Sequence, residues 1–146
     1  MDNKLKSKTR LAAIQILAQQ LINNQDIENV KEDFDKYYRD TSIDDTSEKV
    51  QYSIKFLSKL IFFFKKINYQ IVSQKIDKII SFDRKFEKWD TIIQAIILIA
   101  ISEIKNSEDK KMKIILNDYI NISKSFVNIK ETKLINSILD KLVNEK

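Results

Sequence analysis

The sequence predicts an all-α fold of about seven helices, and three observations carry that expectation. The 146 residues include no Gly and no Pro, whereas β-rich folds need many tight turns that lean on Gly. Lys, Leu, Gln and Glu, all good helix formers, supply much of the chain. Apolar residues then return at three- and four-residue steps in one stretch after another. Ile is abundant, at 26 residues, and favours strands by propensity, but it suits a helix wherever it fills a buried stripe.

The elements follow in order. Residues 4–23 place Leu11, Ile14, Leu17 and Leu21 on one face of a first helix. A second, over 27–39, carries Ile27, Val30, Phe34 and Tyr37 or Tyr38. Residues 40–47 (DTSIDDTS) are polar, rich in N-cap residue types, and read as the clearest loop. A third helix over 48–66 presents Val50, Ile54, Leu57, Ile61 and Phe64. A fourth over 68–81 presents Ile71 or Val72, Ile76, Ile79 and Ile80. The most apolar window, Ile92 to Ile101, is about half the ~20 residues needed to span a bilayer. It therefore reads as a central core helix over 90–105. A sixth helix covers 111–126, and a seventh covers 132–144 with Leu134, Ile138, Leu139 and Leu142 inward.

Composition excludes most familiar enzyme chemistry. Without Cys or His there is no thiolate or imidazole nucleophile, base or metal ligand. Without Gly there is no glycine-rich phosphate loop. Asp44 with Asp45, and Glu108 with Asp109, lack the spacing of a calcium loop and read as solvated charges. No catalytic residue, metal site or cofactor is expected. The basic start is followed by no signal-like apolar run or small-residue cleavage site, so the expected setting is the cytoplasm, with no membrane partner.

The formal charge of +5 is unevenly spread. Residues 1–23 carry a net +3, residues 24–50 a net −5, and residues 51–88 a net +6. Segregation of this kind suits a polyanion-binding face. Lys4, Lys6, Lys8 and Arg10 oppose the dipole at the start of the first helix and are candidates for RNA phosphate contacts. Phe62, Phe63 and Phe64 before Lys65 and Lys66 could form a base-stacking platform. The favoured reading of that run is helix packing, as it is for Trp89.

Four segments, in order, resemble the NusB transcription antitermination factors. Lys8-Thr-Arg-Leu-Ala-Ala-Ile-Gln-Ile-Leu17 is similar to the family's opening helix, a basic start running into R-x-x-A-x-Q-x-L. Ala95-Ile-Ile-Leu-Ile-Ala-Ile-Ser-Glu-Ile104 is similar to A-I-L-R-L-A-x-x-E-L. Lys113-Ile-Ile-Leu-Asn-Asp-Tyr-Ile-Asn-Ile-Ser-Lys-Ser-Phe126 is similar to K-V-x-I-N-E-x-x-x-L-A-K-x-F. Leu134-Ile-Asn-Ser-Ile-Leu-Asp140 is similar to F-V-N-G-V-L-D. Spacing holds over nearly the whole chain, and residues 40–90 match by helix pattern alone.

The resemblance implies a single domain of about seven helices in two small packed bundles, roughly 1–66 and 67–146. It implies pairing with the ribosomal protein that doubles as NusE, binding of a boxA-like single strand of RNA, and delivery to the elongating RNA polymerase, notably on ribosomal RNA operons. Some relatives dimerise, which leaves a homodimer open. Lys4, Lys6, Lys8 and Arg10 would hold phosphates, with Gln15, Lys124, Lys133 and Asn136 as polar contacts to sugar or base. Asn117 and Asp118 would fix the sixth helix. The departures are Lys in place of an Arg cluster, Leu98 for Arg, Asp118 for Glu, Ser137 for Gly, and Leu134 for a stacking aromatic. They support an alternative: an interaction module of the same fold with weakened or lost RNA binding.

Overall fold

Short polar side chains decide where the helices begin. In the computed structural model, which describes residues 1–37, 51–80 and 84–144, Asp2 accepts a hydrogen bond from the Leu5 amide at 2.7 Å and opens α1 (Asn3–Asn23). Asp26 accepts from the Glu28 amide and opens α2 (Ile27–Tyr37). Ser53, Asn68 and Asp90 do the same for α3 (Ile54–Lys65), α4 (Tyr69–Ile79) and α5 (Thr91–Lys105). A short 3₁₀ turn, Asp109–Lys111, leads into α6 (Met112–Ser123). Asn128 and Glu131 bond each other's amides in a capping box that opens α7 (Ile129–Asn144). Each such cap is worth about 1 kcal/mol. With no glycine available, α1 ends on Asn24 in the left-handed region, at φ 54°, a conformation Asn tolerates better than most residues.

The all-α expectation holds: the described residues contain helices, turns and no strand. Three boundaries differ from the periodicity by three residues or more, the sixth helix ending at Ser123 rather than at 126 among them. The third helix begins at Ile54, because Ser53 turns out of the helix to cap it and donates its own amide to Thr9 Oγ1 at 3.0 Å. The seventh begins at Ile129, three residues early, because the Asn128–Glu131 box nucleates it ahead of the apolar stripe. The proposed loop over 40–47, and Val50, lie outside the described residues.

α5 is the axis of the fold. Every residue from Ile93 to Ile104 is buried, and the helix packs against α1, α3, α6 and α7. Burial on all sides explains its near-continuous apolar sequence. Each enclosed Ile contributes about 1.5–3 kcal/mol, and truncating one such as Ile97 to Ala costs roughly 2–5 kcal/mol. Its polar residues are all satisfied. Gln94 accepts from the Tyr69 hydroxyl at 2.7 Å and donates to the Trp89 carbonyl at 2.9 Å, while Ser102 bonds back to the Leu98 carbonyl. Trp89 packs edge-on against buried Phe86, with ring centroids 5.2 Å apart. On α1 the enclosed face is wider than one stripe: Ala12, Ala13, Ile14, Ile16 and Leu17 are buried, while Leu11 and Leu21 are half-buried. On α3, Leu57, Leu60 and Ile61 face inward and Ile54 is exposed.

Candidate nucleic-acid interface

The basic start of α1 divides into two populations. Lys4 is exposed, and Lys6 and Lys8 are half-buried with their helix turns. Arg10 is different. It occupies the same helical register as Ile14 and Leu17, so its side chain enters the core and is only 7% exposed. Its Nε and Nη2 donate to the two oxygens of Glu103 at 2.8 and 2.7 Å, and Nη1 donates to Asp118 Oδ2 at 2.7 Å. The expectation that Arg10 holds RNA phosphate is therefore corrected. All three nitrogens are committed, and its charge is already met by two carboxylates.

The same network bolts three helices together. Ser7 donates to the other Asp118 oxygen at 2.6 Å, and the buried Tyr119 hydroxyl donates to Glu103 at 2.7 Å. The Arg10 guanidinium also lies over the rings of Phe56 and Tyr119, 5.6 and 5.7 Å from their centres. Burial works to lower the Arg10 pKa; the hydrogen bond and charge of Glu103, with Tyr119 and Asp118 adding to them, outweigh it and hold the guanidinium above its ordinary value. Burial pushes the Tyr119 hydroxyl well above its ordinary value, and the Glu103 charge adds to it. Asp118 thus ties α6 to α1, the structural role the sequence suggested for it.

Directly outside this network lies a cleft of about 690 Å³, between the start of α1, the outer face of α3 and the α5–α6 turn. Lys6, Lys55, Lys59 and Lys111 line it, together with Phe56 and Phe63. Five cationic side chains of the lining face two carboxylates, and of these Glu103 is bound by Arg10, while Glu108 lies near Lys110 at 3.3 Å. Among the described residues none of the four lysines is held in an ion pair. Lys111 also occupies the N-cap of α6, adding a cation to the positive end of that helix, with no acid in the first turn.

The phenylalanine run separates by register. Phe64 packs on the core, Phe63 lines the cleft, and Phe62 is 57% exposed beneath Lys66, whose Nζ sits 4.4 Å from its ring centre. The remaining sequence candidates lie apart from this cleft. Gln15 is half-buried further along α1, its Oε1 shielded and without a hydrogen-bond partner among the described residues. Lys124 caps the end of α6, and Lys133 and Asn136 stand exposed on α7. Leu134 is half-buried and Ser137 exposed. Of the eight candidates, Lys6 and Arg10 share the cleft wall.

Sequence reasoning missed Lys55, Lys59, Lys111 and Phe56. The four-residue step between Lys55 and Lys59 puts them on one helix face, but only tertiary packing brings Lys6 and Lys111 opposite. The burial of Arg10 had a readable signal, its position four residues before Ile14 on the core stripe.

No helix of the described residues is long and apolar enough to cross a membrane. Among those residues, no group of three or more acidic side chains could hold a metal ion. The sequence model of the NusB family matches residues 7–144. The chain is 32% identical to the transcription antitermination protein NusB of Rickettsia bellii (strain OSU 85-389), over 99% of this chain and 94% of that protein. It is 27% identical to the protein of the same name from Rickettsia rickettsii (strain Sheila Smith), over 99% and 96%. With Rickettsia typhi (strain Wilmington) the identity is 28%, over 98% and 95%. A family match over residues 7–144 and relatives covered over nearly their whole length lead to one conclusion: the chain belongs to the NusB family.

Proposed function

We propose that the protein acts in transcription antitermination by holding a boxA-like single strand of RNA together with the ribosomal protein NusE, and so joins the elongating RNA polymerase. The observation that carries this reading is the near full-length match to proteins named for antitermination. The cations of α1 fit it. Lys4, exposed, and Lys6 and Lys8, half-buried, stand in the first two turns behind the single N-cap acid Asp2, and phosphates would relieve their opposition to the helix dipole. Lys124, Lys133 and Asn136 offer donors on exposed positions of the α6–α7 region, whereas Gln15 keeps its Oε1 shielded from solvent. A role without catalysis agrees with a chain that lacks Cys and His.

Titrating a boxA-like RNA with and without the ribosomal partner, across a salt series, tests the reading. Replacing Lys4, Lys6 and Lys8 by Ala should weaken binding and lower the salt slope by about 0.7 per lost phosphate contact on a single strand. Unchanged affinity and slope would remove the RNA assignment from α1. The alternative of an interaction module without RNA binding draws on Leu134, an aliphatic, half-buried side chain where an exposed ring could stack. Partner binding at micromolar concentration with no affinity for RNA would establish that alternative instead.

A further inference from the structure

The cleft between α1, α3 and the α5–α6 turn borders the sequence candidates at Lys6 and Arg10, but Lys55, Lys59 and Lys111 in its lining belong to no motif, and its chemistry is specific. We infer that it is a second binding site for single-stranded RNA, in which Phe63 stacks on a base while Lys55 and Lys59 of α3, with Lys6 and Lys111 opposite, hold the flanking phosphates. The inference rests on the RNA-binding reading above and extends the strand's path onto α3.

Three features favour a nucleotide over other anions. A volume of about 690 Å³ lies within the range of small-ligand clefts and exceeds what a bare inorganic anion requires. The lysines converge from three separate elements and are free of ion pairs among the described residues, so an incoming phosphate displaces no internal partner. The aromatic surface is supplied where the cations are. Lys59 Nζ lies over the Phe63 ring, 5.8 Å from its centre, so a cation and an aromatic face are offered to an incoming nucleotide together. The Arg10 guanidinium lies over the Phe56 ring, 5.6 Å from its centre, which ties this wall of the cleft to the buried ion-pair network. An acidic peptide would use the lysines through its carboxylates and the ring only where an apolar side chain stands beside them.

The test uses the full chain and a fluorescent boxA-like single-stranded RNA, with thermal melts to check that each variant folds. Lys55 and Lys59 are exposed, so K55A/K59A is expected to melt like the parent. It should bind RNA more weakly and lower the salt slope by about 1.4. Phe63→Ala should weaken binding about tenfold without changing the slope. Photo-cross-linking through a thiouridine-containing strand should label the peptide that carries Phe63. If K55A/K59A and Phe63→Ala bind as the parent does while the Lys4, Lys6 and Lys8 variant loses affinity, the α3 site is overturned and the antitermination reading stands. If the parent binds no RNA, with or without the ribosomal partner, both fall. Displacement by an acidic peptide, with Phe63→Ala neutral, would assign the cleft to a protein segment and overturn the proposal.

Discussion

Lys6 and Arg10 stand one turn apart on the same face of α1, and the fold treats them in opposite ways. Arg10 is enclosed by α3, α5 and α6 and spends its whole guanidinium on Glu103 and Asp118. Lys6 remains at the wall of a cleft whose other lysines are equally free of ion pairs among the described residues. A planar fork can satisfy two buried carboxylates at once, which an ammonium cannot. The neighbouring charges thus serve different ends: one fixes the helices, and the other is left available. Charge in a sequence gives no warning of this division; register against the apolar stripe does.

The largest test of that contrast is Arg10→Ala. It leaves two carboxylates facing each other without a cation and should cost about 3–5 kcal/mol. A thermal melt should show a fall of roughly 10 °C or more for a chain of this size. Arg10→Lys should recover only part of the loss, because the second carboxylate stays unmatched. A recovery to parental stability would show that charge alone, and no fork geometry, holds the network.

Next in size is Tyr119→Phe, which removes one buried hydrogen bond to Glu103 and should cost about 1–3 kcal/mol near neutral pH. The parent carries an alkaline signature from the same residue. The folded pKa of Tyr119 is raised above the ordinary value of 10.0, so its contribution is complete below about pH 10 and is lost as pH rises through the folded value. Denaturant melts from pH 8 to 11 should fall more steeply for the parent than for Tyr119→Phe. Parallel curves would place the alkaline loss elsewhere.

Smaller again is the effect on stability at the available cations. K4A/K8A should change stability by no more than about 0.5 kcal/mol, while lowering the salt slope of RNA binding by about 1.4. The smallest expected change is Lys65→Ala. Its pair with Glu28, 3.2 Å apart with both side chains about half exposed, should contribute about 0.2 kcal/mol and fade with added salt.

The helices were legible because their apolar spacing is regular and because Ile and Leu repeat where α5 and α7 need them. Helix starts are legible where the apolar spacing begins with the helix, as at Ile27, whereas the caps Ser53 and Asn128 set starts that the apolar stripes of α3 and α7 do not mark. The candidate site was half legible. Charge drew the eye to Lys4, Lys6 and Lys8, yet the partners of Lys6 across the cleft come from residues 55, 59 and 111, and no local pattern links them. Arg10 belongs to the basic run by charge and to the core stripe by register, and the stripe decides where its side chain goes. Phe62, Phe63 and Phe64 show the same limit in reverse, three identical residues that helical register sends to solvent, to the cleft and to the core.

Full enclosure of α5 has a consequence for how the molecule opens. Its amides from Ile93 to Ile104 have no route to solvent short of separating several helices at once, so their hydrogen exchange should report global unfolding. α2 packs chiefly on α1 and carries only Ile27 and Val30 into the core, so its amides should exchange through local detachment at far lower free energy. The Arg10 network joins the slow helix to α1 and α6, which puts the cation-bearing start of α1 on the part of the molecule that opens last.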